Sequence, residues 1–566
     1  MKKFFPERLE SFLEGHRGII LLLIFLCIAS LYLSTASDQL GGNLGGDNAR
    51  YIMLARALAS GQGYRDTYLP GEPPHTKYPF LFSAMLAPLT FLEEHELLAM
   101  HLFIGIMAVL IPFFIYAWMR VGKFGITVSL ALLILTATIP RFFSFILHIL
   151  SEVPFMFFLY LAFFLLARLR SRSQAVSMRE FTALTIISLL AVFTRTIGFC
   201  LIAAVFLEMI LDPRFRKARW LRLPWPAIYL ICFGAAFSAW SARNHIVGGS
   251  ASVYLSELIL QDPSQPSLGY ISFFGLISRS LGQALEWIPR IGMFFDWMPW
   301  MAPVKAKWIQ VTGFIFFLFM LYGLAIQFRK KQMAEALFFA LYLIVICAWP
   351  FDEDRFCLPL LPLALVYFFI GTYHLSMLVF SRITSPRIAL IVVASIWAVI
   401  FLYQAAALGR VETRIQTPLL RPDRAYEIKG YGTFKEPIVD WARYELPGYS
   451  EEVLSYLTSY LLLNKIADEI LPEDAVILTR KPAITAFFSG RKATRFLFTT
   501  DSFLQWEHIS REKAGYIITF IPNPFLNEFV RQNRRHLKPL LQAEAPELML
   551  IQISSFPSFV FRGDKT

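Results

Sequence analysis

The chain has 566 residues, 56% of them apolar, 16% aromatic and 17% charged, with a formal net charge of +12. Soluble domains carry about a quarter of charged residues, so this composition excludes an ordinary soluble chain and points to a protein that crosses a bilayer many times. The basic excess forms no single face, which excludes a nucleic-acid partner.

A membrane span needs about 20 mostly apolar residues, because the hydrocarbon core is ~30 Å thick. In chain order, eleven spans are expected: 18–36, 98–118, 124–140, 149–167, 180–194, 196–211, 225–241, 307–327, 334–350, 357–380 and 387–409. The first follows Lys2, Lys3, Arg8 and Arg17 without a small-residue cleavage site, and reads as a retained anchor whose N-terminus is cytoplasmic. Alternate loops then hold Arg120 and Lys123, Arg168 to Arg179, Arg214 to Arg222, Arg329 to Lys331, and Arg382 with Arg387. All fall on the cytoplasmic side, as the positive-inside rule requires. The five cysteines show no metal or disulfide spacing and read as small core residues.

Two outer loops are long. In the first, 37–97, Asn48–Ser60 and Tyr78–Leu92 are apolar at helical spacing but too short to span, and are expected to lie on the membrane surface. In the second, 242–306, Trp287, Trp297 and Trp300 are placed as interfacial aromatics would be. An odd number of spans leaves the residues after 410 outside. A helical pattern at Ser450–Ile470 precedes short β-rich runs at 475–479, 516–521 and 548–553, with helical stretches at 501–513 and 525–534 between them. Strands alternating with helices predict an extracytoplasmic α/β domain over 411–566, behind a transmembrane domain over 1–410.

Ionisable residues at membrane boundaries are costly and usually functional. Under this topology one face collects Asp47, His75, Lys77, Arg141, His148, Glu152, Arg195, Arg243, Asn244, Asp352, Glu353, Asp354 and Arg355. Structural readings compete: Arg141 and Arg195 as snorkelling span ends, Glu152 as a helix N-terminal charge, His148 as a packing residue, and the acids at 352–354 as a solvated face. Asp47 stands out, because the glycines around it (GGNLGGD) permit backbone shapes that an ordinary loop does not need. Mixed acids and cations on one face suit an anionic lipid headgroup and a reacting hydroxyl, with arginine and lysine holding phosphate and a carboxylate taking a proton or holding a divalent cation.

The stretches GGDNARYIMLARALASGQGY and HTKYPFLFSAMLAPL resemble the first outer loop of the GT-C glycosyltransferases. The similarity is to the bacterial branch related to dolichyl-phosphate-mannose–protein mannosyltransferases and the aminoarabinose transferases of lipid A. SEVPFMFFLYLAFFL, FTRTIGF, SARNHIVGG and DEDRFCLPLLPLALVYF resemble later landmarks of that family, in family order. The resemblance implies a GT-C fold in a bacterial inner membrane. It also implies transfer of a hexosyl or pentosyl group from a polyprenyl-phosphate donor to a lipid, glycan or protein acceptor on the outer face.

By residue, Asp47 matches the family's catalytic acid and Glu152 its second acidic position, while Lys77 and Arg355, with Arg243, match positions that hold the carrier phosphate. His75, Tyr78, Arg195, Asn244 and Asp354 are further site candidates. Protein-modifying relatives often carry Asp-Glu where this chain has Asp47-Asn48, which leaves the acceptor open. Asp47 is expected to act as base in an inverting displacement. Glu152 would orient the acceptor or share a magnesium or manganese ion with Asp47. Two other readings are a ligase or polymerase of lipid-linked glycans and a flippase. The second would place its charges at the bilayer midplane and show repeated halves, which this sequence does not.

Overall fold

A computed structural model describes residues 7–38, 40, 46–171, 176–215, 224–249, 253–263, 265–294, 307–329, 333–383, 386–416, 426–434, 451–519, 524–543 and 548–557. The helices that follow the N-terminal α1 (Glu7–Gly15) and α2 (Arg17–Leu33) are α3 (Asp47–Ala59), α4 (Leu81–Leu86), α5 (Glu96–Val121), α6 (Ile126–Ala137), α7 (Pro140–Ile146), α8 (Glu152–Ser171), α9 (Met178–Thr194) and α10 (Phe199–Leu211). Next come α11 (Trp225–Ile246), α12 (Val253–Ile259), α13 (Phe273–Gly292), α14 (Lys307–Arg329), α15 (Met333–Ala348), α16 (Leu361–Ile383) and α17 (Pro386–Gln416).

Each of the eleven expected spans is helical. Among the described residues, however, six helices are long and apolar enough to cross a membrane, or up to eight if each bent pair is one span. The bent pairs are α1 with α2, at 74°, and α6 with α7, at 55°. The second bend falls within the expected span 124–140, where Pro140 opens a new helix and its ring cannot continue the old one. The expected spans 180–194, 196–211 and 334–350 are helices of at most 17 residues. At 1.5 Å per residue these reach about 25 Å, short of the ~30 Å core.

The chain divides into two compact units, one of 1–37, 76–82 and 98–412 and one of 38–75, 83–97 and 413–566. The first outer loop is therefore shared: residues 76–82 go with the membrane helices, and the rest with the C-terminal residues.

In the first unit, small residues let helix backbones touch. A Cβ on Gly323 of α14 would lie 1.9 Å from the Tyr367 carbonyl oxygen, and one on Gly371 of α16 would lie 1.9 Å from that of Phe319. Such contacts hold helices together where lipid offers no hydrophobic drive. Gly323→Leu is expected to force α14 and α16 apart and to cost more than the usual ~1–3 kcal/mol of overpacking, read as a fall in unfolding midpoint in detergent. Trp287, expected at the membrane interface, is instead fully buried, with the Arg290 guanidinium 5.2 Å from its ring. Trp297 and Trp300 lie outside the described residues.

In the second unit, α18 (Glu451–Ile470), α19 (Pro482–Ser489), α20 (Ser502–Arg511) and α21 (Pro524–Gln532) accompany a five-stranded sheet. Its order is β4 (Lys492–Arg495), β3 (Val476–Thr479), β5 (Tyr516–Ile518), β7 (Met549–Ile553) and β6 (Leu537–Gln542), preceded in the chain by the hairpin β1 (Tyr426–Ile428) and β2 (Gly432–Phe434). β3 pairs in parallel with β4 and β5, through crossovers made by α19 and α20, while β7 runs antiparallel to β5 and β6. Leu478, Trp506, Ile509, Ile517, Leu526, Phe529 and Ile551 fill the core.

This unit also corrects the reading of Asn48–Ser60 as a surface helix. The apolar face of α3 is buried in protein, with Ile52, Leu54 and Ala55 fully covered. A Cβ on Gly46, at the start of α3, would lie 3.2 Å from Ile484 of α19. The second amphipathic stretch, 78–92, breaks into the short α4 and a 3-10 run, Ala87–His95, interrupted at Glu93 by φ 45°.

Candidate functional site

In the membrane unit, three charged side chains from separate motifs meet. Glu152 opens α8 and is 1% exposed. It forms an ion pair with Arg195, which sits in the extended turn between α9 and α10, and its Oε1 lies 3.7 Å from Arg355 Nε. Arg195 also donates to Ser151 Oγ at 3.2 Å, and Arg355 Nε lies 2.5 Å from Glu353 Oε2. Arg141, 1% exposed, donates to Cys357 Sγ at 2.9 Å. Neither Arg141 nor Arg195 is a snorkelling span end here. Arg195 and Arg355, two groups of the kind that hold phosphate by charge-assisted hydrogen bonds, thus converge on the buried Glu152.

That setting changes the reading of Glu152. A carboxylate held by two guanidinium groups does not suit a divalent cation, whose charge they would repel. No group of three or more His, Cys, Asp or Glu that could hold a metal occurs among the described residues. Glu152 is thus engaged by guanidinium groups, and no step is assigned to a metal.

His148 stands in the turn before α8, and its Nδ1 has no hydrogen-bond partner among the described residues. Burial, with smaller contributions from His101 and Arg355, pushes its imidazole down to about 3. The unfolded chain takes up this proton near 6.5 and the folded one near 3. This contribution to stability is thus complete above the unfolded value and is lost as pH falls between the two. The unfolding midpoint is expected to drop between about pH 6.5 and pH 3, and less steeply in His148→Leu.

Around Lys77, the C-terminal end of α11 supplies the frame. Asn244, 1% exposed, donates from Nδ2 to the Thr76 carbonyl at 3.3 Å and accepts from Arg243 at 2.9 Å. Arg243 also lies 5.3 Å from the Trp240 ring. Tyr78 is buried, and Phe80 packs between Phe193 and Trp240. Lys77 Nζ lies 2.5 Å from Glu257 Oε1, a partner that no sequence pattern marks. Asp352 pairs with Arg290 of α13 at 3.0 Å while its side chain stays 40% exposed, so this acid is both a tie to α13 and part of a solvated face. The side chain of Asp354 lies outside the described residues.

In the second unit, Gly46 caps α3 with φ 81°, a left-handed conformation that glycine takes without strain, and Asp47 is the first helical residue. Gly41–Gly45 lie outside the described residues. Asn48 is buried; its Nδ2 donates to the Leu40 carbonyl at 3.1 Å and its Oδ1 accepts from Ala49 N at 2.8 Å. One turn beyond Asp47, the Arg50 guanidinium lies 5.7 Å from the Tyr68 ring. Burial pushes the Tyr68 phenol well up; Arg50 opposes this, and Asp66 adds to it. His75 Nδ1 is 2.9 Å from both oxygens of Asp66, and its ring meets Tyr64 edge-on. His75 is thus a buried partner of Asp66, pinning residues 64–75 into a closed loop.

No family model and no curated protein matches the sequence. Solved structures are similar. ArnT from Cupriavidus metallidurans bound to undecaprenyl phosphate aligns at a TM-score of 0.53 and 10% identity, over 94% of this chain and 98% of its own. The archaeal oligosaccharyltransferase AglB from Archaeoglobus fulgidus, in complex with an inhibitory peptide and a dolichol-phosphate, aligns at 0.51 and 13% identity, over 89% of this chain and 69% of its own. The Archaeoglobus fulgidus oligosaccharyltransferase in complex with Zn and sulfate aligns at 0.50 and 10% identity, over 88% and 67%. At such identities the likeness is one of fold, the GT-C fold of membrane glycosyltransferases.

Proposed function

We propose that this chain, which has the GT-C fold, transfers a sugar from a polyprenyl-phosphate carrier to an acceptor hydroxyl on the extracytoplasmic face of a bacterial membrane. The observation that carries the reading is the buried cluster of Glu152 with Arg195 and Arg355 at helix ends of this fold. The ArnT structure was solved with undecaprenyl phosphate, a carrier of the class proposed.

The acceptor oxygen attacks the anomeric carbon as the bond from that carbon to the phosphate oxygen breaks. The bonding electrons leave with the phosphate, which is already a good leaving group. Asp47 takes the acceptor's proton, and the anomeric configuration inverts. Arg355, Lys77 and Arg243 stabilise the charge that collects on the phosphate; one such preorganised contact typically contributes about 3 kcal/mol, or ~100-fold in rate. Glu152 holds Arg195 and Arg355 in place and does not orient the acceptor. The basic loops set the orientation, with the N-terminus cytoplasmic and the C-terminal sheet outside.

The test is to incubate the purified full chain, in lipid nanodiscs, with a panel of polyprenyl-phosphate sugars and to measure release of free polyprenyl phosphate. Acceptor-dependent release with an inverted anomeric configuration is expected. Absence of release across hexosyl and pentosyl donors overturns the reading.

A further inference from the structure

We propose that Glu257 occupies, on Lys77, the place of the donor phosphate, so that an incoming lipid-linked phosphate must displace a carboxylate of the second outer loop before it can be held. The inference rests on the assignment of Lys77 to the donor phosphate.

The backbone on both sides of Lys77 is held in place. Its neighbour Thr76 accepts from Asn244 at 3.3 Å, and a Cβ on Gly249 would come within 2.3 Å of the Thr76 side chain. On the other side, Tyr78 is buried. What can change is the partner of the ammonium group. Glu257 Oε1 holds it at 2.5 Å, while the ring of Tyr254, one turn earlier on α12, lies 5.7 Å away.

The carboxylate is an incomplete partner. Glu257 Oε2 is buried and has no hydrogen-bond partner among the described residues. A buried acceptor left unmade destabilises the arrangement that buries it. A phosphate monoester or diester brings more oxygens, a monoester up to two charges, and can engage further donors at once. The exchange is therefore favourable for an anionic headgroup. An uncharged lipid cannot make it, because the part-buried carboxylate would lose its cation without replacement.

The segment that carries Glu257 is tied to α13 at its C-terminal end. Arg279 of α13 donates to the carbonyls of Leu258, Leu260 and Gln261 at 2.9, 2.6 and 3.1 Å. Displacement of Glu257 can thus swing the first turns of α12 while residues 258–261 stay on α13. Glu257 is in this sense a selectivity residue: it admits anions to Lys77 and keeps the ammonium neutralised otherwise.

The experiment titrates the purified full chain with farnesyl phosphate, and separately with inorganic phosphate and farnesol, in wild type, Glu257→Gln, Glu257→Asp, Lys77→Gln and the Lys77→Gln/Glu257→Gln double variant. Glu257→Gln is expected to bind farnesyl phosphate about fivefold or more tightly, as removal of a half-buried competing charge implies. Glu257→Asp should stay near wild type, and the gain should vanish in the Lys77→Gln background. Saturable wild-type binding with no gain in Glu257→Gln, or a gain that survives loss of Lys77, overturns the inference and leaves the proposed transfer standing. No saturable binding by any form overturns both. Unfolding midpoints without ligand show that each variant is folded, and equal affinity for farnesol throughout shows that the effect belongs to the headgroup.

Discussion

Asp47→Asn is expected to lower turnover by about 10³-fold, within the range of ~10²–10⁴ that a positioned general base contributes. The substitution keeps the size of the side chain and removes only its capacity to take a proton. Asp47 is the first residue of α3, where unpaired backbone N–H groups favour a negative charge. Its backbone is set by the left-handed Gly46, which packs on Ile484. Loss of the charge at the helix N-terminus should cost only about 0.3–1 kcal/mol of stability, and affinity for farnesyl phosphate should be unaffected, because the phosphate contacts are assigned to Lys77, Arg243 and Arg355. The measurement is the initial rate of polyprenyl phosphate release at saturating donor, alongside the dissociation constant. A turnover close to wild type removes Asp47 from the role of base.

Glu152→Ala is expected to destabilise the membrane unit by about 3–5 kcal/mol, the usual result of leaving a buried ion pair without one partner. Arg195 loses its ion-pair partner, and Arg355 loses the more distant of two carboxylates while keeping Glu353; their side chains are 16% and 13% exposed. The deficit should be partly made good by an anion. Added farnesyl phosphate is expected to raise the unfolding midpoint of the variant more than that of the wild type, since a ligand stabilises the state that binds it. Glu152→Asp should recover part of the stability, as it restores the charge one carbon short. A midpoint unchanged by Glu152→Ala would show that the two arginines are satisfied without it.

Much of this was legible in the sequence because bilayers impose length and apolarity on each segment separately. The eleven apolar stretches, the turn residues around Arg195 and the strands at 476–479, 516–518 and 549–553 are local patterns, and each is found as an element. The short strands β4 and β6 were not expected. Lys492–Arg495 and Leu537–Gln542 carry charges or proline, and a sheet partner rather than their own composition makes them strands.

The candidate residues were legible as charges at span ends, but their partners were not. Glu257 and Asp66 are single acids in polar loops, and nothing in their neighbourhoods announces Lys77 or His75. Glu152 read as a helix N-terminal acid and as a metal ligand; its contact with Arg195 and Arg355 depends on how α8 packs beside the turn after α9 and the 3-10 run, Asp354–Leu360, that precedes α16. The sequence by itself determined the helical class, the segments able to meet a bilayer and the family of motifs. Hydropathy and helix-breaking residues act within a single turn or span, so they can be read one window at a time. Only the tertiary structure decided that the apolar face of α3 meets protein rather than lipid, and which carboxylate neutralises which cation. Burial and ion pairing are properties of residues brought together from distant parts of the chain.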